Sequence, residues 1–92
     1  MQNINRVTVY YAQKLSGKSG MGGGLDINGN VSSHGVISLH PVFAQLAIAK
    51  AKYKHSDWQV EMVTTTADSA FFDMPKKEAI NRATNELQTY LF

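Results

Sequence analysis

Three histidines, His34, His40 and His55, are the residues best suited to metal or proton chemistry, and their spacing serves neither. No two stand at i, i+4 on a helix and no carboxylate cluster accompanies them, so no metal site is expected. His55-Ser56-Asp57 contains the residue types of a nucleophilic triad. Neighbours in sequence at a helix end cannot converge their side chains as a triad requires. The seven acids are spread singly, leaving no paired carboxylates for general acid–base work. Gly17-Lys18-Ser19 has the letters that end a phosphate-binding loop, but position 12 is Ala where the pattern needs Gly. More glycine and then a turn follow it, where a helix N-terminus should hold the phosphates. Gly20-Met21-Gly22-Gly23-Gly24 fails as a dinucleotide fingerprint because it too lacks a strand–loop–helix setting. These residues predict a chain that is not an enzyme and that carries no cofactor.

The charges are more informative. Residues 1 to 56 hold six cations (Arg6, Lys14, Lys18, Lys50, Lys52, Lys54) and one acid, Asp26, a net of +5. Residues 57 to 92 hold six acids (Asp57, Glu61, Asp68, Asp73, Glu78, Glu86) and three cations (Lys76, Lys77, Arg82), a net of −3. If each half supplies its own surface, one face presents a positive field to a polyanion or an acidic protein. Arg6, Lys14, Lys18, Lys50 and Lys54 are the expected contacts, with Lys76 and Lys77 extending them. Lys52 lies nearly opposite Lys50 and Lys54 on the same helix. Tyr10, on the presumed outer side of its strand, adds stacking area. Lys18 sits among glycines, whose bare backbone can approach a partner closely.

These side chains need elements to position them. Arg6 to Ala12 reads as a strand, with Val7, Val9 and Tyr11 on the inner face and Thr8 and Tyr10 on the other. All seven glycines fall between positions 17 and 35, and the run from 16 to 24 predicts a loop. Asn28-Gly29 predicts a two-residue type I′ hairpin turn, its second arm running to about Leu39. His40-Pro41 opens a helix with Val42, Leu46, Ala49 and Tyr53 as its core stripe. Trp58 to Thr65 alternates as a strand. Asp73 is placed to cap a second helix with Pro75 in its first turn, and Ala79, Ile80, Ala83, Leu87 and Leu91 form its buried stripe. The predicted order is β-β-β-α-β-α. That is an α+β fold with an antiparallel sheet of three to four strands and two helices packed on one face.

Ninety-two residues, 43% of them apolar, suit a single domain spanning residues 1–92 with one small core. The absence of cysteine excludes disulfides and thiolate metal sites and suits a reducing cytoplasm. No apolar stretch approaches the ~20 residues of a membrane span, and the first residues have no secretory pattern.

Two resemblances add expectations. Pro75-Lys76-Lys77-Glu78-Ala79 resembles the start of the last helix in double-stranded-RNA-binding domains. There two lysines lie over phosphates, which implies phosphate contacts for Lys76 and Lys77. That domain runs α-β-β-β-α, unlike the order predicted here. In size, architecture and charge the chain also resembles the small anti-CRISPR proteins that phages encode, although it shares no motif with them. That likeness implies a non-catalytic inhibitor in the host cytoplasm that docks on a host protein or protein–RNA complex, such as a CRISPR surveillance complex. Being basic, the chain would grip guide RNA or an acidic protein surface. The alternative is a free-standing small RNA- or DNA-binding domain.

Overall fold

The structure is a computed structural model that describes residues 6–15, 24–33 and 35–91. The glycine-rich run before Gly24, Lys18 within it, and His34 lie outside the described residues. The elements run β1 (Arg6–Leu15), β2 (Gly24–Leu25), β3 (Val31–Ser32), β4 (Ile37–Ser38), α1 (Pro41–Lys54), β5 (Gln59–Asp68), a 3-10 turn (Ser69–Phe71) and α2 (Lys77–Leu91). The fold is α+β, as the sequence predicts.

β1 is the spine. Along one edge it pairs antiparallel with β5 over ten positions, from Arg6 opposite Asp68 to Leu15 opposite Gln59. Along the other edge it takes β2 at Gln13 and β4 at Tyr10 and Tyr11. The second hairpin arm is not one strand to Leu39: it breaks into β3, paired with β2, and β4, paired with β1.

The hairpin turn is also wider than type I′, which needs positive φ at both central residues. Among the described residues only Gly29 has positive φ, at 80°. The Asp26 N–H donates to Asn30 O at 2.9 Å, closing a three-residue loop, and the Gly29 N–H donates to Asp26 O at 2.9 Å. The Asp26 carboxylate accepts from the Asn28 and Asn30 N–H groups, which shifts the turn back by one residue.

α1 begins where the sequence places it, with Pro41 in its first turn. Nδ1 of His40 accepts from the Val42 N–H at 3.1 Å, satisfying one of the unpaired donors of the first turn. The helix is buried on two sides. Ala44, Ala47 and Ala51 lie on the sheet in a cluster with Ala12 and Leu25, joined by Tyr10, Trp58 and Val60. Val42 and Leu46 pack with Ala83 of α2, joined by Ile27, Phe43, Ile80 and Leu87. Both helices thus lie to one side of the sheet, α1 resting on it and α2 resting on α1.

This layering corrects the side-chain assignments of Tyr10, Tyr53, Ala79 and Leu91. Tyr10 packs under α1, so it is not an outward contact; Tyr11 and Val9 alternate to the other face, although Val9 is itself buried. Tyr53 is 78% exposed and meets Tyr90 edge-on, so it is not a core residue. Leu91 and Ala79 are exposed, leaving Ile80, Ala83 and Leu87 as the packed part of the α2 stripe. Nor does Asp73 cap α2. The first helical carbonyl is that of Lys76, which accepts from the Ile80 N–H at 3.0 Å, so Asp73 and Pro75 precede the helix.

Candidate functional site

The end of α1 and the end of β1 meet at one extremity of the fold. α1 stops when the His55 N–H bonds back to Ala51 O at 2.8 Å. The Trp58 N–H then donates to His55 O at 2.9 Å, turning the chain sharply into β5. This turn lays the Trp58 indole on the His55 imidazole, with ring centroids 3.8 Å apart and planes 11° from parallel. Lys14 stands opposite Val60 on the α1-facing side of β1, and its Nζ lies 4.2 Å from the indole centroid. Such a cation–π contact is worth about 0.5–1 kcal/mol at a partly exposed site and holds the ammonium in place.

Lys52 and Lys54 occupy the last turn of α1, where cations offset the negative end of the helix dipole. Lys54 Nζ also donates to Asn28 O at 2.8 Å, tying the hairpin tip to the helix. Lys14, Lys52, Lys54, His55 and Trp58 together make a basic, aromatic end. Asp57, exposed in the same turn, reduces its positive charge without cancelling it. Ammonium groups fixed beside an aromatic plane suit a phosphate or carboxylate partner.

The structure brings together only part of the site that the sequence suggests. Lys14 and Lys54 belong to this end. Arg6 lies eight residues back along β1, about 26 Å away. Its guanidinium donates to the carbonyl and hydroxyl of Thr66 at 3.2 and 3.3 Å. Lys50 is no rim lysine: its side chain is 12% exposed and pairs with Glu86 of α2 at 2.5 Å. Lys76 and Lys77 are exposed where α2 begins, in a segment apart from the basic end. Lys52, His55 and Trp58 are absent from the set suggested by charge alone. The signal for Trp58 was its place as the sole tryptophan, four residues past a lysine-rich helix end.

The two charge halves do not become two faces. β1, from the basic half, is paired along its length with β5 from the acidic half, and Lys50 of α1 meets Glu86 of α2. Antiparallel pairing of distant segments interleaves the charges that the sequence keeps apart.

A cleft of about 350 Å³ opens between β4, the start of α1 and the segment before α2. Ile37, Leu39, Phe43, Phe71, Phe72 and Pro75 give it apolar walls. Its polar groups are the Asp73 carboxylate and the Ser38 hydroxyl, the latter accepting from the His40 N–H at 3.2 Å. Among the described residues, no three His, Asp or Glu side chains converge as metal ligands. No described helix is long and apolar enough to cross a membrane. Comparison with protein-family models, with curated proteins and with solved structures finds no match to this chain.

Proposed function

We propose that the chain is a non-catalytic binding protein that docks through the basic end around Lys14, Lys52, Lys54, His55 and Trp58. Its target in this reading is a host protein–RNA complex, whose nucleic-acid access it blocks in the manner of an anti-CRISPR inhibitor. The observation that supports this reading is the Lys14–Trp58–His55 stack flanked by two helix-end lysines. A pre-positioned ammonium beside aromatic surface loses little side-chain entropy when it meets a phosphate. Lys76 and Lys77 are secondary contacts in the same reading. Inhibition by occupancy needs no turnover, so full effect is expected at one chain per target complex.

The test has two arms. Inhibition of a CRISPR ribonucleoprotein is titrated with the chain and with a Lys14→Glu/Lys52→Glu variant. The variant gives up the Lys14–Trp58 contact and a favourable charge at the end of α1, so it is expected to melt somewhat below the parent while remaining folded, and to lose inhibition. Fluorescence anisotropy then follows binding to labelled single-stranded and duplex RNA at low and moderate salt. A stoichiometric inhibitor of the complex binds naked RNA poorly. Tight binding to naked RNA that weakens steeply with salt supports the free-standing nucleic-acid-binding domain. No effect on the ribonucleoprotein and no RNA binding would discard both.

A further inference from the structure

β5 has the longest open strand edge in the described sheet. Its inner edge pairs with β1 from Gln59 to Asp68, and no described strand pairs with its outer edge. That outer edge is a row of backbone N–H and C=O groups about 33 Å long. Proteins ordinarily blunt such an edge with charged side chains, proline or a bulge. β5 contains no lysine or proline and its register with β1 is unbroken; its only charges are Glu61 and Asp68. Val60, Val63 and the three threonines 64 to 66 are β-branched types that suit further pairing. Glu61, Met62, Thr64, Thr65 and Thr66 are exposed to solvent.

We propose that β5 pairs antiparallel with β5 of a second copy of this chain, about a twofold axis perpendicular to the sheet. Two five-stranded sheets then become one, with all four helices on the same side. Residues opposite one another in an antiparallel ladder share a face, so the axis passes through either Val63 or Thr64. Charge selects Val63. About that residue, Met62 meets the partner's Thr64, Glu61 meets the partner's Thr65, and Val60 meets the partner's Thr66. Asp68 falls outside the ladder. An axis at Thr64 would instead set the Asp68 carboxylate opposite an apolar Val60 within the ladder. The chosen register puts no acid against another acid and covers Met62, which is 37% exposed in the single chain. The edge is complementary to itself, which is what a twofold contact demands.

Sedimentation equilibrium and single-cysteine variants test this, the chain having no cysteine of its own. The native chain is expected to sediment at about twice its 10.2 kDa mass at protein concentrations of roughly 10–100 μM. Val63→Cys, at the axis, is expected to cross-link into a disulfide dimer on mild oxidation. Thr66→Cys, displaced from its own copy by about 20 Å along the strands, is expected not to. Thr65→Glu opposes a carboxylate to the partner's Glu61 twice and is expected to weaken the dimer about tenfold. Thr65→Lys is expected to tighten it. A monomer up to about 1 mM, equal responses to the two Thr65 substitutions, or cross-linking through Thr66→Cys in place of Val63→Cys overturns the proposal.

Discussion

At the scale of single residues, Gly29 is the most constrained position described. Its φ of 80° is one that side-chain-bearing residues rarely adopt, and a Cβ there would lie 2.5 Å from Ala51 N and 2.8 Å from Lys50 C. The hairpin tip therefore rests directly on the α1 backbone, held by Lys54 at Asn28 O. Gly29→Ala is expected to cost roughly 2–4 kcal/mol, combining strained backbone with a clash against a rigid helix. Thermal denaturation followed by circular dichroism reads this directly. A melting temperature equal to the parent's would mean that the tip does not rest on α1. Lys14 and Lys54 show a related point: each cation is fixed by a neutral partner, an indole or a carbonyl, and so keeps its charge unpaired.

At the scale of elements, α1 is the centre of the core because it is buried on two sides with side chains of two sizes. Three alanines let its backbone approach the sheet, while Val42 and Leu46 fill the space toward α2. A stripe traced through the largest residues finds the α2-facing side and misses the sheet-facing one. Leu46, 2% exposed, is expected to cost roughly 2–5 kcal/mol when cut to alanine, because its cavity lies between two helices that cannot collapse together. Leu91, 64% exposed at the end of α2, is expected to cost less than about 0.5 kcal/mol. Chemical denaturation of the two variants measures the contrast, and equal losses would place α2 in a different phase.

At the scale of the whole molecule, the basic and acidic halves of the chain hold each other. Lys50 and Glu86 are the contact where this is most concentrated, the lysine largely covered and the carboxylate 43% exposed. A double-mutant cycle with Lys50→Met and Glu86→Gln is expected to give a coupling energy of about 1 kcal/mol, at the upper end for pairs open to water. A coupling near zero would show that the two charges are neighbours without being partners. The same burial means that charge reversal at Lys50 reports on folding as well as on binding. Lys14 and Lys52 are therefore the cleaner probes of the basic end.

The sequence by itself determined the α+β class, the start of α1 at His40-Pro41, the strand character of residues 6 to 12 and 59 to 65, and a hairpin centred near Asn28-Gly29; Trp58, read as the first strand residue, belongs to the turn before β5. Each rests on local chemistry: proline's fixed φ, alternation in β-branched runs, glycine's freedom at positive φ. Only the tertiary structure decided which face of β1 meets a helix, because Val7-Thr8-Val9-Tyr10-Tyr11 is apolar or aromatic on both sides and alternation cannot rank them. Only the structure decided that Lys50 is covered while Lys14 stands beside Trp58. Side chains 44 residues apart are brought together by the β1–β5 ladder, and nothing local encodes that distance. The charge asymmetry shows the same limit. It is legible as a count along the chain, but antiparallel pairing of the two halves decides where the charges lie in space.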